Sequence, residues 1–238
     1  MRHLDWQGCF NVRDLGGLRT ADGRRTRWRA VVRSDAADRL TGAGWSALHD
    51  YGVRTVVDLR NDDERTAGAA PYPARPARLV TVHVPLDGLE DTEFWGYWGN
   101  GLHGTPLYYP AFLRRFPQRI AAAVAAVADA RPGAVLVHCG IGRDRTGLVA
   151  MVLLALAGVP APDIVDDHLT STERLRPAWS ALGLPDQEPA IDRILAEHGT
   201  TARDSLLGTI EEIDPEDYLR SGGLTGAQLA AVHARLLD

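Results

Sequence analysis

Short β-branched runs alternate with longer stretches whose apolar residues recur at helical spacing. Residues 53–59 (VRTVVDL) and 79–85 (LVTVHVP) have the length and composition of buried strands, and 134–137 (AVLV) is a third. Thr41 predicts the cap of a helix running to Tyr51, with Gly52 as its stop. An Ala-rich helix is predicted over 110–130, and an apolar one over 147–157 with Gly158 as its stop. Residues 9–33 read as short strands and turns, with a hairpin at 21–23 (ADG). Residues 162–238 read as helical throughout, broken at Pro177, Pro185, Pro189 and Pro215; 90–109, rich in Trp, Tyr and Gly, fits neither period. Strands that alternate with helices predict an α/β fold, a mostly parallel sheet flanked by helices. The helical tail exceeds what that sheet needs for cover, so part of it is expected to lie over the active face.

Composition narrows the function classes. The chain has 238 residues, 45% hydrophobic and 24% charged, which excludes a disordered or fibrous protein. Its net charge of −5 argues against a general nucleic-acid binder. All 26 basic residues are Arg, so any cation in a functional site is Arg or His. Two cysteines, Cys9 and Cys139, make no disulfide framework, and the first ten residues (MRHLDWQGCF) hold no apolar run fit for a signal peptide. The longest apolar stretch, 147–159, is shorter than the roughly 20 residues that span a bilayer. A cytoplasmic location without stable membrane insertion is the expectation.

The chemistry concentrates at 138–147 (HCGIGRDRTG), between a predicted strand and a predicted helix. Such a loop points free backbone N–H groups into one concavity, with the positive end of the helix dipole behind them. Gly140 and Gly142 let the backbone curl so that the amides of Gly140, Ile141, Gly142, Arg143 and Asp144 converge on a phosphate. Arg145, six residues after Cys139, can fold back and grip two phosphate oxygens. A thiol at the head of the loop stands in a positive field, which favours the nucleophilic thiolate. Thr146 can donate its hydroxyl to that sulfur, and His138 is expected to order the loop backbone. Zinc is a poor competitor, because His138 and Cys139 are adjacent and no second CxxC or HxxxH pair exists. The site therefore calls for no metal and no cofactor. A sulfurtransferase also carries Cys on a strand-to-helix loop, but Arg145-Thr146 at this spacing argues against it.

The loop resembles the Cys-x5-Arg-Ser/Thr signature of the cysteine-dependent protein tyrosine phosphatases. In the form HCxxGxDRTG it is similar to their atypical bacterial branch, whose members act on phosphotyrosine, phosphoserine/threonine and phosphoinositides. Residues 11–17 (NVRDLGG), 32–34 (VRS), 58–60 (DLR) with Glu64, and 217–220 (DYLR) resemble further motifs of that branch. The resemblance implies one tyrosine-phosphatase-like domain over 1–238, with a helical lid at about 177–202. It implies a phosphocysteine mechanism on a phosphoprotein, a phosphoinositide or a small phosphate ester. The branch has Lys where this chain has Arg143, at a position associated with reading extra phosphates. Arg143 keeps the charge but is bulkier and planar.

The leaving oxygen needs a proton donor. The resemblance favours Asp144, within the loop. Asp58, at a predicted strand end, can act as a second acid, orient Arg145, or form a salt bridge to an Arg. Asp87 and Asp91 read as solvated loop residues. Arg13 and Arg60 can add charge near the phosphate or pair with Asp14 and Glu64, the pairing being favoured. His83 and His168 read as structural, and Cys9 as a buried bystander or a backup disulfide partner. The aromatic run 94–98 (FWGYW) can wall a substrate pocket or form a satellite core under a long loop.

Overall fold

A computed structural model of the chain describes residues 2–67, 76 and 78–237. The strands are β1 (Arg13–Asp14), β2 (Val31–Ser34), β3 (Val53–Asp58), β4 (Val80–His83) and β5 (Ala134–His138). They form one sheet in the order β1-β2-β5-β3-β4, with only β1 antiparallel. β5 is central and buried along its whole length, as a continuous apolar run requires when both faces are covered. Side chains alternate between two cores. Val32, Val53, Val56, Ala134 and Leu136 face one core, and Val31, Val57, Val135 and Val137 face the other.

The helices are α1 (Gly42–Tyr51), α2 (Asp62–Ala67), α3 (Thr92–Trp98), α4 (Tyr109–Arg115), α5 (Pro117–Ala128), α6 (Asp144–Leu156), α7 (Ala161–Ala181), α8 (Glu188–Glu197), α9 (Ala202–Glu211), α10 (Pro215–Ser221) and α11 (Gly226–Leu236). α1 fills the smaller core with Trp45 and Leu48. Its ends lie where the sequence set them: Thr41 accepts from Gly44 N, and Gly52 takes a left-handed φ of 105°. α5 and α6 line the larger core. α6 is apolar on every side, so it needs the further helical layer that the C-terminal segment supplies.

Three expectations change. The predicted 110–130 helix is two helices parted at Phe116, because Pro117 starts a new helix there. Pro177 does not break α7; it lies on the exposed side, where water can serve the carbonyl its missing N–H leaves over. Residues 90–109 hold α3, capped by Asp91, and a single 3-10 turn at Pro106–Tyr108. There the aromatic run forms part of the core: Phe94 packs edge-on against Phe112 and Phe116, while Tyr97 is exposed.

Register places the site. Ser34, His138, Asp58 and His83 share one rung at the carboxyl end of the sheet. The loop leaves β5 one residue later, at the crevice where open α/β sheets hold their ligands.

Candidate active site

The loop from Cys139 to Arg143 is held from outside by its carbonyls. Asn11 Nδ2 donates to Ile141 O and Gly142 O, both at 3.1 Å. Arg33 Nη2 donates to Gly142 O at 2.8 Å, and Arg39 Nη1 and Ala36 N donate to Gly140 O at 3.0 and 3.1 Å. With the carbonyls turned outward, the intervening amides face the other way. Among the described residues none of the amides of Gly140, Ile141 and Gly142 donates to a protein acceptor. Gly142 has φ +72°, and a Cβ there would lie 2.4 Å from Ser34 O, so only glycine fits. α6 begins at Asp144, and its positive end backs the concavity.

The braces are themselves braced. Arg13 Nη1 donates to Asn11 Oδ1 at 2.6 Å, which fixes the Asn11 amide toward the loop. Arg13, Arg33 and Arg2 converge on Asp167, a buried α7 carboxylate whose pKa the three guanidinium groups hold far below the usual range despite its burial. Asp35 accepts from Phe10 N and Asn11 N. Arg13 therefore pairs with Asp167 and not with Asp14, whose carboxylate accepts from Gly16 N, Arg29 N and Tyr51. The motif residues of 11–17 and 32–34 thus have a physical role that the sequence alone did not reveal.

Cys139 is 2% exposed, at the end of β5. Arg145 lies beside the loop: its Nη2 is 3.7 Å from where a Cβ on Gly140 would stand. Glu64 grips both terminal nitrogens of Arg145, with Nη2 at 2.7 Å from Oε1, and Asp87 Oδ2 accepts from Nη1 at 3.1 Å. Burial raises the Glu64 pKa, but the Arg145 fork outweighs it and the net shift is downward. Arg145 is held more firmly protonated by the same partners. Asp87 corrects an expectation. It is buried and touches the loop arginine, and burial pushes its carboxyl up against the opposing pull of Arg145 and Asn61. Its place just after β4, at the carboxyl end of a strand, was the signal that could have found it. Thr146 Oγ1, Asp87 Oδ1 and the Tyr108 hydroxyl are buried without partners among the described residues.

Asp144 opens α6 and accepts from the Tyr109 hydroxyl at 2.9 Å, while Arg143 Nε lies 3.3 Å from its Oδ2. Asp58 stands apart from Arg145. Its carboxylate accepts from Arg60 Nε at 3.1 Å and Nη2 at 3.0 Å, with Arg65 at 3.5 Å. Burial raises its pKa, but Arg60 and His138 outweigh that and leave it lowered. Of the readings open for Asp58, the structure shows the salt bridge; Glu64 and Asp87 orient Arg145 instead. Arg60 pairs with Asp58 and Asp38, not with Glu64. His138 Nδ1 lies 3.1 Å from Cys139 O, and burial lowers the pKa of the imidazole. Cys9 donates to Ala36 O at 3.4 Å, and burial pushes its thiol well up.

The far end of α7 and the start of α8 stand over the loop. Ile141 packs with Leu175, Ala178, Trp179, Leu182 and Phe10. Arg143 donates to Glu188 Oε1 at 2.8 Å, Gln187 Oε1 at 3.1 Å and Gly104 O at 3.2 Å. Its guanidinium is thereby committed to the covering segments.

The Cys139 thiol, the loop whose carbonyls point outward, the N-terminus of α6 and the forked Arg145 thus meet at the carboxyl end of the sheet. Residues 4–238 match the tyrosine phosphatase family, and the chain belongs to it. It is 34% identical over 181 residues to a Cupriavidus necator protein provisionally named a tyrosine-protein phosphatase, covering 73% of this chain and 64% of that protein. It is 30% identical to a tyrosine-protein phosphatase of Nostoc commune over 87% of this chain and 65% of the relative. The triple specificity protein phosphatase PtpB of Mycobacterium tuberculosis is 30% identical over 70% of this chain and 68% of its own. The chain thus spans just under two thirds of the length of the first two relatives. Among the described residues no helix is long and apolar enough to cross a membrane.

Proposed function

We propose that the protein is a metal-independent phosphomonoester hydrolase of the tyrosine-phosphatase type, working through a phosphocysteine on Cys139. The carrying observation is the loop whose carbonyls are pinned outward by Asn11, Arg33, Arg39 and Ala36, leaving its amides to a phosphate. Cys139 attacks phosphorus. The amides of Gly140, Ile141, Gly142 and Arg143, with Arg145, stabilise the equatorial oxygens as the phosphoryl group becomes trigonal. Thr146, whose hydroxyl is buried without a partner among the described residues, offers it to the sulfur. His138 orders the loop through Cys139 O. Asp144, at the start of α6, protonates the leaving oxygen, and Asp58 positions Arg60.

The α7–α8 corner at about 177–202 acts as a lid, latched by Arg143 to Glu188 and Gln187. The substrate class is a phosphorylated protein, in keeping with the names of the relatives. A phosphoinositide or a small phosphorylated metabolite is the alternative of the same mechanism. The engagement of Arg143 speaks against it, because a second substrate phosphate would have to displace Glu188.

The test is phosphate release by the full chain from phosphopeptides, phosphoinositides and small phosphate esters, compared by kcat/KM. Phosphopeptide turnover that persists with chelator and vanishes in Cys139→Ser, which still binds vanadate, is the expected result. Turnover by Cys139→Ser, or loss of activity with chelator, overturns the reading.

A further inference from the structure

The arginines of this chain are unevenly spread. Five of the 26 fall within residues 19–29 (RTADGRRTRWR), a span with one acidic residue, in a chain whose net charge is −5. That acid, Asp22, is taken up by Arg24 at 2.7 Å. Arg19, Arg25 and Arg29 are exposed and have no carboxylate partner among the described residues. Arg25 donates to Gly17 O at 2.7 Å, and the Arg29 guanidinium lies 5.1 Å from the centre of the Tyr51 ring. Among these cations stands Trp28, 45% exposed. Its indole lies against Gly17, where a Cβ would be 2.5 Å from Trp28 Cζ2. The ring is braced on one side while nearly half its surface is left to solvent.

The segment hangs from the amino ends of the strands. Leu15 N donates to Val31 O and Val135 N to Ala30 O, at the starts of β2 and β5. Ala134 N donates to Gly52 O, which brings the start of β3 to the same line. Two further arginines belong to that end. Arg54 Cγ is 2.6 Å from where a Cβ on Gly133 would stand, and the exposed Arg131 lies two residues before Gly133. Neither has a carboxylate partner among the described residues; Arg54 donates to the carbonyls of His49 and Val53. Arg29 holds φ +60°, the one positive φ outside glycine among the described residues. Its backbone N–H donates to Asp14 Oδ2 at 2.8 Å, a bond that any residue but proline could make. Glycine would suit this backbone better, so the arginine adds charge to the surface at the expense of backbone strain.

We propose that this end of the sheet is a docking surface for an anionic phospholipid bilayer, with Trp28 at the level of the headgroups and the arginines on lipid phosphates. Two features favour a bilayer over a soluble polyanion. The free cations are spread over the ends of three neighbouring strands and a hairpin, an area that a flat surface can meet at once. An exposed indole among them, apolar in body and with one polar N–H, is the side chain that gathers where headgroups meet hydrocarbon. The net charge of −5 works the same way: it opposes a polyanion that wraps the molecule but not a surface that touches one end of it. Each arginine close to an anionic bilayer strengthens binding roughly fivefold, and the attraction fades within a Debye length of about 10 Å at 0.1 M salt.

The placement has a consequence for catalysis. Cys139 leaves β5 at its carboxyl end, so the length of the sheet separates it from the arginines. A chain docked by the amino ends of its strands turns the Cys139 loop away from the bilayer. On the phosphatase reading, the substrates within its reach are then soluble phosphoproteins, and not the headgroups beneath it.

Co-sedimentation of the full chain with vesicles tests this. The chain is expected to bind phosphatidylcholine vesicles carrying about 30% phosphatidylglycerol in about 0.05 M NaCl. Binding should fall at least about tenfold in about 0.5 M NaCl, or on phosphatidylcholine alone. Arg19→Gln, Arg25→Gln and Arg29→Gly combined should weaken it roughly 100-fold. Trp28→Ala should weaken it at both salt concentrations, because the indole contributes apolar burial and not charge. Arg54→Gln with Arg131→Gln, expected to weaken it roughly 25-fold, carries the test if the first combination does not fold. Both charge variants should hydrolyse p-nitrophenyl phosphate at the wild-type rate, and saturating vesicles should not inhibit the wild-type chain. A wild-type chain that stays in the supernatant, equal binding to neutral vesicles, or binding unchanged in the charge variants overturns the proposal. Capture of a DNA duplex or of polyglutamate in preference to vesicles overturns it as well, and assigns the surface to a soluble polyanion. Inhibition by vesicles overturns the orientation. A chain that binds vesicles as expected but hydrolyses no phosphate ester leaves the docking surface standing and overturns the phosphatase reading alone.

Discussion

Arg145 illustrates how much a single side chain can carry and how much of it is visible in advance. Its spacing from Cys139 was legible, because a phosphate loop needs a forked cation at that distance. Its partners were not. Glu64 lies 81 residues away and Asp87 58, and nothing local in the sequence marks them as neighbours. The sequence reads Asp87 as a solvated loop residue, whereas Asn61 donates to its carboxylate and Trp95 to its backbone carbonyl. Arg145→Lys keeps a positive charge but loses both the Glu64 fork and the bidentate grip on phosphate. It is expected to lower kcat by roughly 100-fold, about 3 kcal/mol of transition-state stabilisation. Steady-state kinetics on an aryl phosphate checks this, and a rate near wild type would show that the loop amides suffice.

At the scale of elements, the loop from Cys139 to Arg143 is a strand-to-helix turn shaped by segments remote in sequence. Elements with strong local signals were legible with their ends: α1 between Thr41 and Gly52, and the cores of β3 and β5. Elements whose packing outweighs local preference were not. α3 has a glycine and four aromatic residues among its seven, and its stability comes from Phe94 and Trp95 against the core. The loop itself was legible as chemistry, but its scaffolding by Asn11, Arg13, Arg33 and Asp167 was not, since a buried Asn or Arg looks like any surface residue in a sequence. Asn11→Ala removes the donor to two loop carbonyls and leaves Arg13 without the Asn11 Oδ1 acceptor. It is expected to lower unfolding free energy by about 2 kcal/mol and to weaken vanadate binding. Urea titration and vanadate inhibition measure the two effects, and a folded variant with wild-type vanadate affinity would show that Arg33, Arg39 and Ala36 hold the loop alone.

For the molecule as a whole, buried ionisable groups set how stability depends on pH. His168 is enclosed between α6, Tyr109 and the Arg13–Arg33–Asp167 cluster, and burial with the nearby Arg33 lowers its pKa from 6.5 to about 3. Between those values the unfolded chain binds a proton that the folded chain does not. Stability due to this group is therefore full above about pH 6.5 and falls as the pH drops toward 3. From pH 6.5 to pH 5 the loss is about 2 kcal/mol. His168→Gln, which cannot take up that proton, should lose less stability than wild type over the same interval. Urea midpoints at the two pH values test it, and equal losses in the two proteins would assign the acid limb to other groups.

The same cluster fixes when the site appears during folding. The bonds that shape the loop join Asn11 to Gly142 and Arg13 to Asp167, across 131 and 154 residues. Contacts between partners so far apart in the chain are slow to close. The loop therefore acquires its shape only after the N-terminal segment has met the loop and α7. Until then the carbonyls of the loop lack the donors that turn them outward, and its amides are not gathered beside Cys139.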